Sequence, residues 1–236
     1  MCGRFSLTTA PEAMRNLFDY ENLPNLEPRY NIAPTQMVAC IRAGDDGKRQ
    51  LDFLRWGLIP SWSKDAAAGA RMINARAETV SEKPSFRESF AQRRCLVAAD
   101  GFYEWRLEDG RKQPFRIGMK GGLPFAFAGL WDRWTASADG AGIAAGETVE
   151  TVTIVTTAAN DKLRPIHARM PVILPQEAYG KWLDAANDRD GLLALLRPYP
   201  VEPMAFYRVG SAVSNARNDN PDCIAPLRPV AAVSGG

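Results

Sequence analysis

The chain has 236 residues, 46% of them hydrophobic and 24% charged, with 19 glycines and 17 prolines spread along its length; disordered and fibrous classes are excluded, and one globular domain is expected. A formal net charge of +2 is too small to argue alone for nucleic acid or an anionic membrane, although 22 arginines against 7 lysines favour the cation whose planar fork suits phosphate or carboxylate; an arginine-rich proteome would give the same count. The longest apolar stretches, 125–130 and 192–196, fall short of the ~20 residues of a membrane span, and with no basic leader before an apolar core at the start, a cytosolic location is expected.

In chain order, Thr9 as cap and Pro11 in the first turn predict a surface helix of about ten residues in TTAPEAMRNLF. MVACIRA and QLDFLRW flank the Gly/Asp-rich AGDDGKR and predict a β-hairpin. Ser85 to Glu88 reads as a capping box that opens a helix ending near Arg94, and CLVAAD then reads as a buried strand. YEWRLEDGRKQPFRIGM predicts two strands about an Asp-Gly turn, while FAFAGLWDRW and TVTIVTTAA predict two more with a flexible loop, TASADGAGIAAGE, between them. PQEAYGKWLDA and DGLLALLR are expected as late helices, AFYRV as a final strand, and residues 226–236 as a flexible tail. Many short strands with helices in no regular βαβ order predict an α+β fold around a bent, barrel-like, mostly antiparallel sheet flanked by helices.

Cys2, Cys40, Cys95 and Cys223 share no CxxC spacing and are expected to be reduced. His167 is the only histidine, so no metal site is expected. Cys40 and Cys95 lie in apolar runs and read as small buried hydrophobes. Cys2 differs, because a small residue after the initiator methionine normally allows that methionine to be removed. The new N-terminus would then carry an α-amine and a thiol on adjacent carbons, with reference pKa values near ~8 and ~8.5. An aldehyde meeting this pair can form a Schiff base with the amine and be captured by the sulfur as a five-membered thiazolidine, a closure favoured because it is intramolecular.

The ordered blocks MCGRF, RYNIAPTQ, WGLIPSW, INARAET, DGFYEW, IHARMPVIL and VSNARND together resemble the SRAP family of abasic-site processing proteins, also called SOS response-associated peptidases, over residues 1–225. The resemblance implies the SRAP fold as a single domain, no cofactor, and an N-terminal cysteine that crosslinks to the ring-opened sugar of an abasic site in single-stranded DNA. It implies Cys2 as the nucleophile, Asn74 beside it, Glu104 as the catalytic carboxylate and His167 as the catalytic histidine. Each role has a physical basis. Asn74 can donate and accept, and so orient the α-amine. Glu104 lies between Tyr103 and Trp105, where desolvation would raise its pKa toward proton-shuttling range. His167 carries the one side chain whose reference pKa lies near neutrality. Outside the blocks, a buried asparagine tying loops, an outward strand carboxylate and a satisfied core or surface histidine would be the plainer readings.

For DNA, Arg4 and Arg76 are candidate phosphate clamps, Arg71 and Arg164 further phosphate contacts, and Trp56 and Trp62 candidate wedges or stacking platforms. Ser63 follows Trp62 where the family often carries a second aromatic. Asn31, Pro34 and Asn215 read as scaffold. Nothing in the sequence suggests more than a monomer, and association with the nucleoid when on DNA, with replication-fork proteins as partners, is the expected setting. Two other readings remain: a cysteine peptidase or amidohydrolase using Cys2, Glu104 and His167, and a non-enzymatic module that binds single strands through arginine and tryptophan.

Overall fold

The computed structural model of the chain describes residues 2–44, 46–140 and 142–227. Strand β1 (Phe5–Leu7) leads into α1 (Pro11–Phe18), which turns Met14 and Phe18 inward. Ala10, without a side-chain bond, holds the cap position of α1, so Thr9 does not cap it. The Thr9 hydroxyl instead donates to Asp100 Oδ2 at 3.3 Å.

After β2 (Arg29–Ile32), β3 (Met37–Ala43) and β4 (Arg49–Trp56) form the expected hairpin, with Met37 opposite Arg55 and Ala43 opposite Arg49. Next come α2 (Ala68–Arg71), β5 (Asn74–Arg76) and α3 (Arg87–Gln92). The cap position of α3 is Phe86, with no side-chain bond, so the capping box at Ser85 does not form. Strand β6 (Arg94–Ala99) is buried at every position, as its apolar run implies. Strands β7 (Gly101–Glu108) and β8 (Arg111–Met119) turn on Asp109 and Gly110, at φ 48° and 75°, the paired positive φ values of a type I′ hairpin.

Strands β9 (Phe125–Thr135) and β10 (Thr148–Ala158) are the longest pair. The segment between them reads as a flexible loop in sequence, yet Ile143 is only 3% exposed and packs on Ile59, Trp134 and Ala136. The chain continues through β11 (Arg169–Pro171), β12 (Ile173–Leu174), α4 (Tyr179–Leu183), α5 (Arg189–Leu193) and β13 (Met204–Arg208). The first late helix begins one turn early as a 3₁₀ segment, Gln176–Ala178. Of the expected tail, Pro226 bridges Val209, and residues 228–236 lie outside the described residues.

Strands β4, β3, β6, β9 and β10 pair in a ring that closes on itself. Strand directions can alternate all the way round only if the ring is even, so a ring of five must contain a parallel pair. That pair is β10 with β4; the other four are antiparallel. The observed α+β, single-domain architecture is therefore a small closed barrel with extra strands and short helices.

An antiparallel sheet in the order β13–β8–β7–β1–β2 lies against the barrel. Phe5 of β1 sets its ring edge-on to Trp56 at 5.1 Å and to Phe127 at 5.8 Å, and Phe102 of β7 meets Phe127 at 6.0 Å. Such edge-to-face contacts lock the sheet to the barrel at the end where the chain begins. Among the described residues no helix is long and apolar enough to cross a membrane.

Candidate active site

Three strands deliver the site. Strand β10 runs past the barrel, and there Thr156 pairs with Arg76 of β5 on one edge and with Pro171 of β11 on the other. Asn74 therefore enters on one side of β10, while His167, two residues before β11, enters on the other. Strand β7 brings Glu104, and it also pairs with β1, placing Phe5 opposite Phe102. The N-terminal Cys2 thereby lies against both β5 and β7.

Asn74 Nδ2 donates to the Cys2 carbonyl oxygen at 2.8 Å. Its Oδ1 is buried and has no partner among the described residues, which leaves an acceptor beside the Cys2 backbone. The Cys2 thiol is fully buried, with Sγ 4.0 Å from the Arg4 carbonyl oxygen. Burial first, and the charge of Glu104 second, push the thiol pKa well above its ordinary value.

Glu104 is only 4% exposed, and burial raises its carboxyl pKa, with the nearby His167 working against the rise. Desolvation is the cause the sequence suggests, but the neighbours in sequence do not supply it. Side chains alternate along a strand, so Tyr103 and Trp105 turn away from Glu104 into a separate cluster with Val209, Val213 and Cys223. Glu104 shares the face of Phe102, which looks into the main core.

His167 Nδ1 lies 4.0 Å from Glu104 Oε1, accepts from the Arg169 backbone N–H at 3.0 Å and lies 3.1 Å from the Arg169 carbonyl oxygen. The structure thus gathers the four sequence-derived candidates, Cys2, Asn74, Glu104 and His167, into one chain of contacts. A carboxyl of raised pKa and an imidazole beside Cys2 can move protons to and from a bound carbonyl group, and the Asn74 amide can hold the Cys2 backbone in place.

The sequence profile of the SRAP family, described as SOS response associated peptidase, matches residues 1–216. The chain belongs to the SRAP family. It is 44% identical over 229 residues to the abasic site processing protein YoqW of Bacillus subtilis, covering 95% of this chain and 99% of YoqW. To the abasic site processing protein HMCES of Xenopus tropicalis it is 30% identical over 272 residues, covering 96% of this chain and 78% of HMCES. A crystal structure of a protein from Bacteroides thetaiotaomicron superposes with a TM-score of 0.84 at 28% identity, covering 96% of this chain and all of that one.

The candidate DNA contacts of this SRAP chain divide by burial. Trp56 is 0% exposed, donates from Nε1 to the Ile73 carbonyl oxygen at 2.9 Å and packs on Phe5. It is a core residue whose ring has no face to offer a base, which corrects its assignment as a stacking platform. Trp62 is 62% exposed on a turn anchored at both sides, by Ser61 N–H donating to Asp132 at 2.9 Å and by Trp134 Nε1 donating to the Ser63 carbonyl oxygen at 2.7 Å. Arg4 Nη1 donates to Asn31 Oδ1 at 2.8 Å and to the Val213 carbonyl oxygen at 2.7 Å, so part of its fork is spent on the protein. Arg76 is exposed on β5. Arg71 and Arg164 are exposed beside Asp65 at 3.5 Å and Asp161 at 3.1 Å.

Asn31 is buried and donates to the carbonyl oxygens of Val213, Asn215 and Asn218, while Pro34 is partly buried and the Asn215 side chain accepts from Arg217 N–H at 3.1 Å.

Several supporting residues escape a reading by motif. Asp100 accepts from Ser6 Oγ and Thr8 Oγ1, each at 2.7 Å, and from Arg116 Nη2 at 2.9 Å, tying β1 and β8 to the start of β7. A Cβ on Gly101 would fall 2.5 Å from Arg116 Cζ, so only glycine leaves room for the guanidinium. Asp219 accepts from the Tyr30 and Asn31 backbone N–H groups and from Arg29. The signal for Asp100 and Gly101 was present in DGFYEW; Arg116, 16 positions away, carried none.

Proposed function

We propose that this protein processes abasic sites in single-stranded DNA by joining itself to them through Cys2. Once Met1 is removed, the Cys2 α-amine attacks C1′ of the ring-opened sugar aldehyde, a carbinolamine forms and water leaves to give the imine. The Cys2 thiol then adds across the imine; sulfur bonds to C1′, its proton passes to nitrogen, and the thiazolidine closes with no further leaving group. Glu104, whose carboxyl pKa burial raises, can supply the proton that opens the sugar ring and the proton that carries water away. His167, at the same carboxylate, can take and return protons on either side of the reaction, reversal included.

The observation that carries this reading is the Asn74 amide. Its Nδ2 grips the Cys2 carbonyl at 2.8 Å while its Oδ1 stays buried without a partner among the described residues. A buried unsatisfied acceptor costs free energy, about 1–3 kcal/mol, and an α-amine on Cys2 is the donor that would satisfy it. A peptidase would instead need a thiolate paired with an imidazole, whereas burial holds this thiol neutral and His167 Nδ1 bonds to Arg169. DNA would be held by the exposed arginines and by Trp62.

Intact mass spectrometry before and after incubation with a single-stranded oligonucleotide carrying one abasic site tests the proposal. The expected result is a protein lacking Met1 that gains the oligonucleotide mass less one water. Active protein that retains Met1, or an oligonucleotide left unmodified by protein lacking it, would overturn it.

A further inference from the structure

We infer that Glu78 is a positioning residue for His167, acting through Arg169. The role rests on the reading that His167 moves protons in the crosslinking reaction, but the geometry beneath it stands apart. Arg169 presents its Nη1 and Nη2 to the two carboxylate oxygens of Glu78 at 2.9 and 3.0 Å, the parallel fork that fixes orientation as well as distance. Nη2 also donates to the Thr156 carbonyl oxygen at 2.6 Å. Thr156 is the residue of β10 that pairs with β5 on one edge and β11 on the other. The Arg169 side chain therefore crosses β10 and is held on the far side by a residue just beyond the strand that carries Asn74.

What this holds is the Arg169 peptide, and that peptide serves one imidazole nitrogen in two ways. Its N–H donates to His167 Nδ1 at 3.0 Å, and its carbonyl oxygen lies 3.1 Å from the same atom. With the ring neutral, Nδ1 accepts, so the proton sits on Nε2. With the ring charged, Nδ1 carries a proton that the carbonyl can take. Either state bonds to the same peptide, through its N–H when Nδ1 is bare and through its carbonyl when Nδ1 is protonated, so the position of the Arg169 peptide sets the orientation of the ring and biases its tautomer. Nδ1 also faces Glu104 at 4.0 Å, so a ring that rotates loses its register with the carboxyl. Glu78 is 53% exposed while Arg169 is 20% exposed; the fork is thus reachable by mutation without opening the core.

Because His167 is the only histidine, untagged protein gives a single set of imidazole resonances, and the ring's tautomer and titration can be read by NMR. In the native chain the neutral ring should be the Nε2–H tautomer. Glu78→Gln and Glu78→Ala should mix the tautomers and move the titration midpoint, with the melting temperature nearly unchanged, and Glu78→Asp should restore the native pattern in part. Crosslinking to abasic single-stranded DNA should slow on the order of tenfold, less than the ~10²-fold that a 1 Å misplacement can cost, with affinity for an unreactive tetrahydrofuran-containing strand preserved.

Unchanged tautomer and titration in Glu78→Ala would overturn the positioning role, as would a loss of melting temperature with those signals unmoved. A changed imidazole with an unchanged crosslinking rate would support the clamp and count against His167 as a proton carrier, which separates this inference from the function it rests on.

Discussion

The two tryptophans of the WGLIPSW block should fail in opposite ways. Trp56 is fully buried, edge-on to Phe5, with its indole N–H on the Ile73 carbonyl. Replacing a buried tryptophan with alanine costs about 3–5 kcal/mol. In a chain of this size each kcal/mol moves the melting temperature by about 2–4 °C, so Trp56→Ala should melt roughly 6–20 °C lower. Trp56→Phe, which keeps most of the volume but strands the Ile73 carbonyl, should lie between.

Trp62 is mostly exposed on an anchored turn, where truncation alters stability by about 0.5 kcal/mol or less. If its ring stacks on a base, Trp62→Ala should instead lose about 1–3 kcal/mol of binding, a factor of roughly 5 to 150 in Kd. Calorimetric melting gives the first quantity, and fluorescence anisotropy with a labelled single strand at fixed salt the second. A Trp56→Ala protein that melts normally but releases DNA, or a Trp62→Ala protein that melts early and binds normally, would refute the division between core and surface drawn here.

Glu104→Gln should slow crosslinking by about 10²- to 10⁴-fold, as expected for loss of a general acid or base, and should do so in a time course scored on denaturing gels. The same variant tests the buried charge. Because burial raises the Glu104 pKa in the folded state, the ionised carboxylate costs stability that is absent below the unfolded pKa near ~4 and grows as pH rises through the folded value. Glu104→Gln should accordingly melt like the native chain near pH 4 and above it at pH 8; a deficit that does not vary with pH would show the carboxylate to be a structural strut. Cys2→Ala keeps the amine and loses the sulfur, so borohydride should still trap an imine while no heat-stable product forms, and full yield of heat-stable product would exclude the thiazolidine. Binding to single strands should weaken with salt at a slope of about 0.7 per phosphate contact; affinity indifferent to salt would mean that the exposed arginines do not meet phosphate.

Local rules were legible wherever a signal needed only its own neighbours. Asp109–Gly110 takes the positive φ values that an Asp-Gly hairpin turn demands, and the unbroken apolar run of β6 is buried throughout. Rules that compete with tertiary partners failed. Thr9 has the chemistry of a helix cap, but Asp100, 91 residues away in sequence, takes its hydroxyl. Trp56 and Trp62 lie six positions apart in one motif, and no local pattern tells the ring under the barrel from the ring outside it. A barrel-like sheet was expected, but which strands close it was hidden: a ring of five needs a parallel pair, and nothing local assigns it to β10 and β4. The candidate site was legible as a set of residues through the motif blocks, whereas its supports, Asp100 with Arg116 and Glu78 with Arg169, depend on pairings that those blocks do not express.

The burial of Cys2 bears on the order of events in the proposed reaction. A thiol becomes a strong nucleophile by ionising, and sites that use it first place a cation or a helix N-terminus beside it. Here both leading influences act the other way: burial disfavours the thiolate, and the carboxylate of Glu104 repels it. The sulfur is therefore poorly suited to make the opening attack on a carbonyl, while an α-amine, with a reference pKa of ~8, has a substantial neutral fraction near pH 7–8 in solution. Imine formation changes the demand on the sulfur. A protonated imine is a stronger electrophile than the aldehyde, its positive charge favours thiolate nearby, and the sulfur is already held three bonds from the attacking nitrogen. In the proposed reaction, the same buried setting that would handicap a cysteine peptidase thus favours amine first and sulfur second, with Glu104 as the group that would hold the proton released or required at each step.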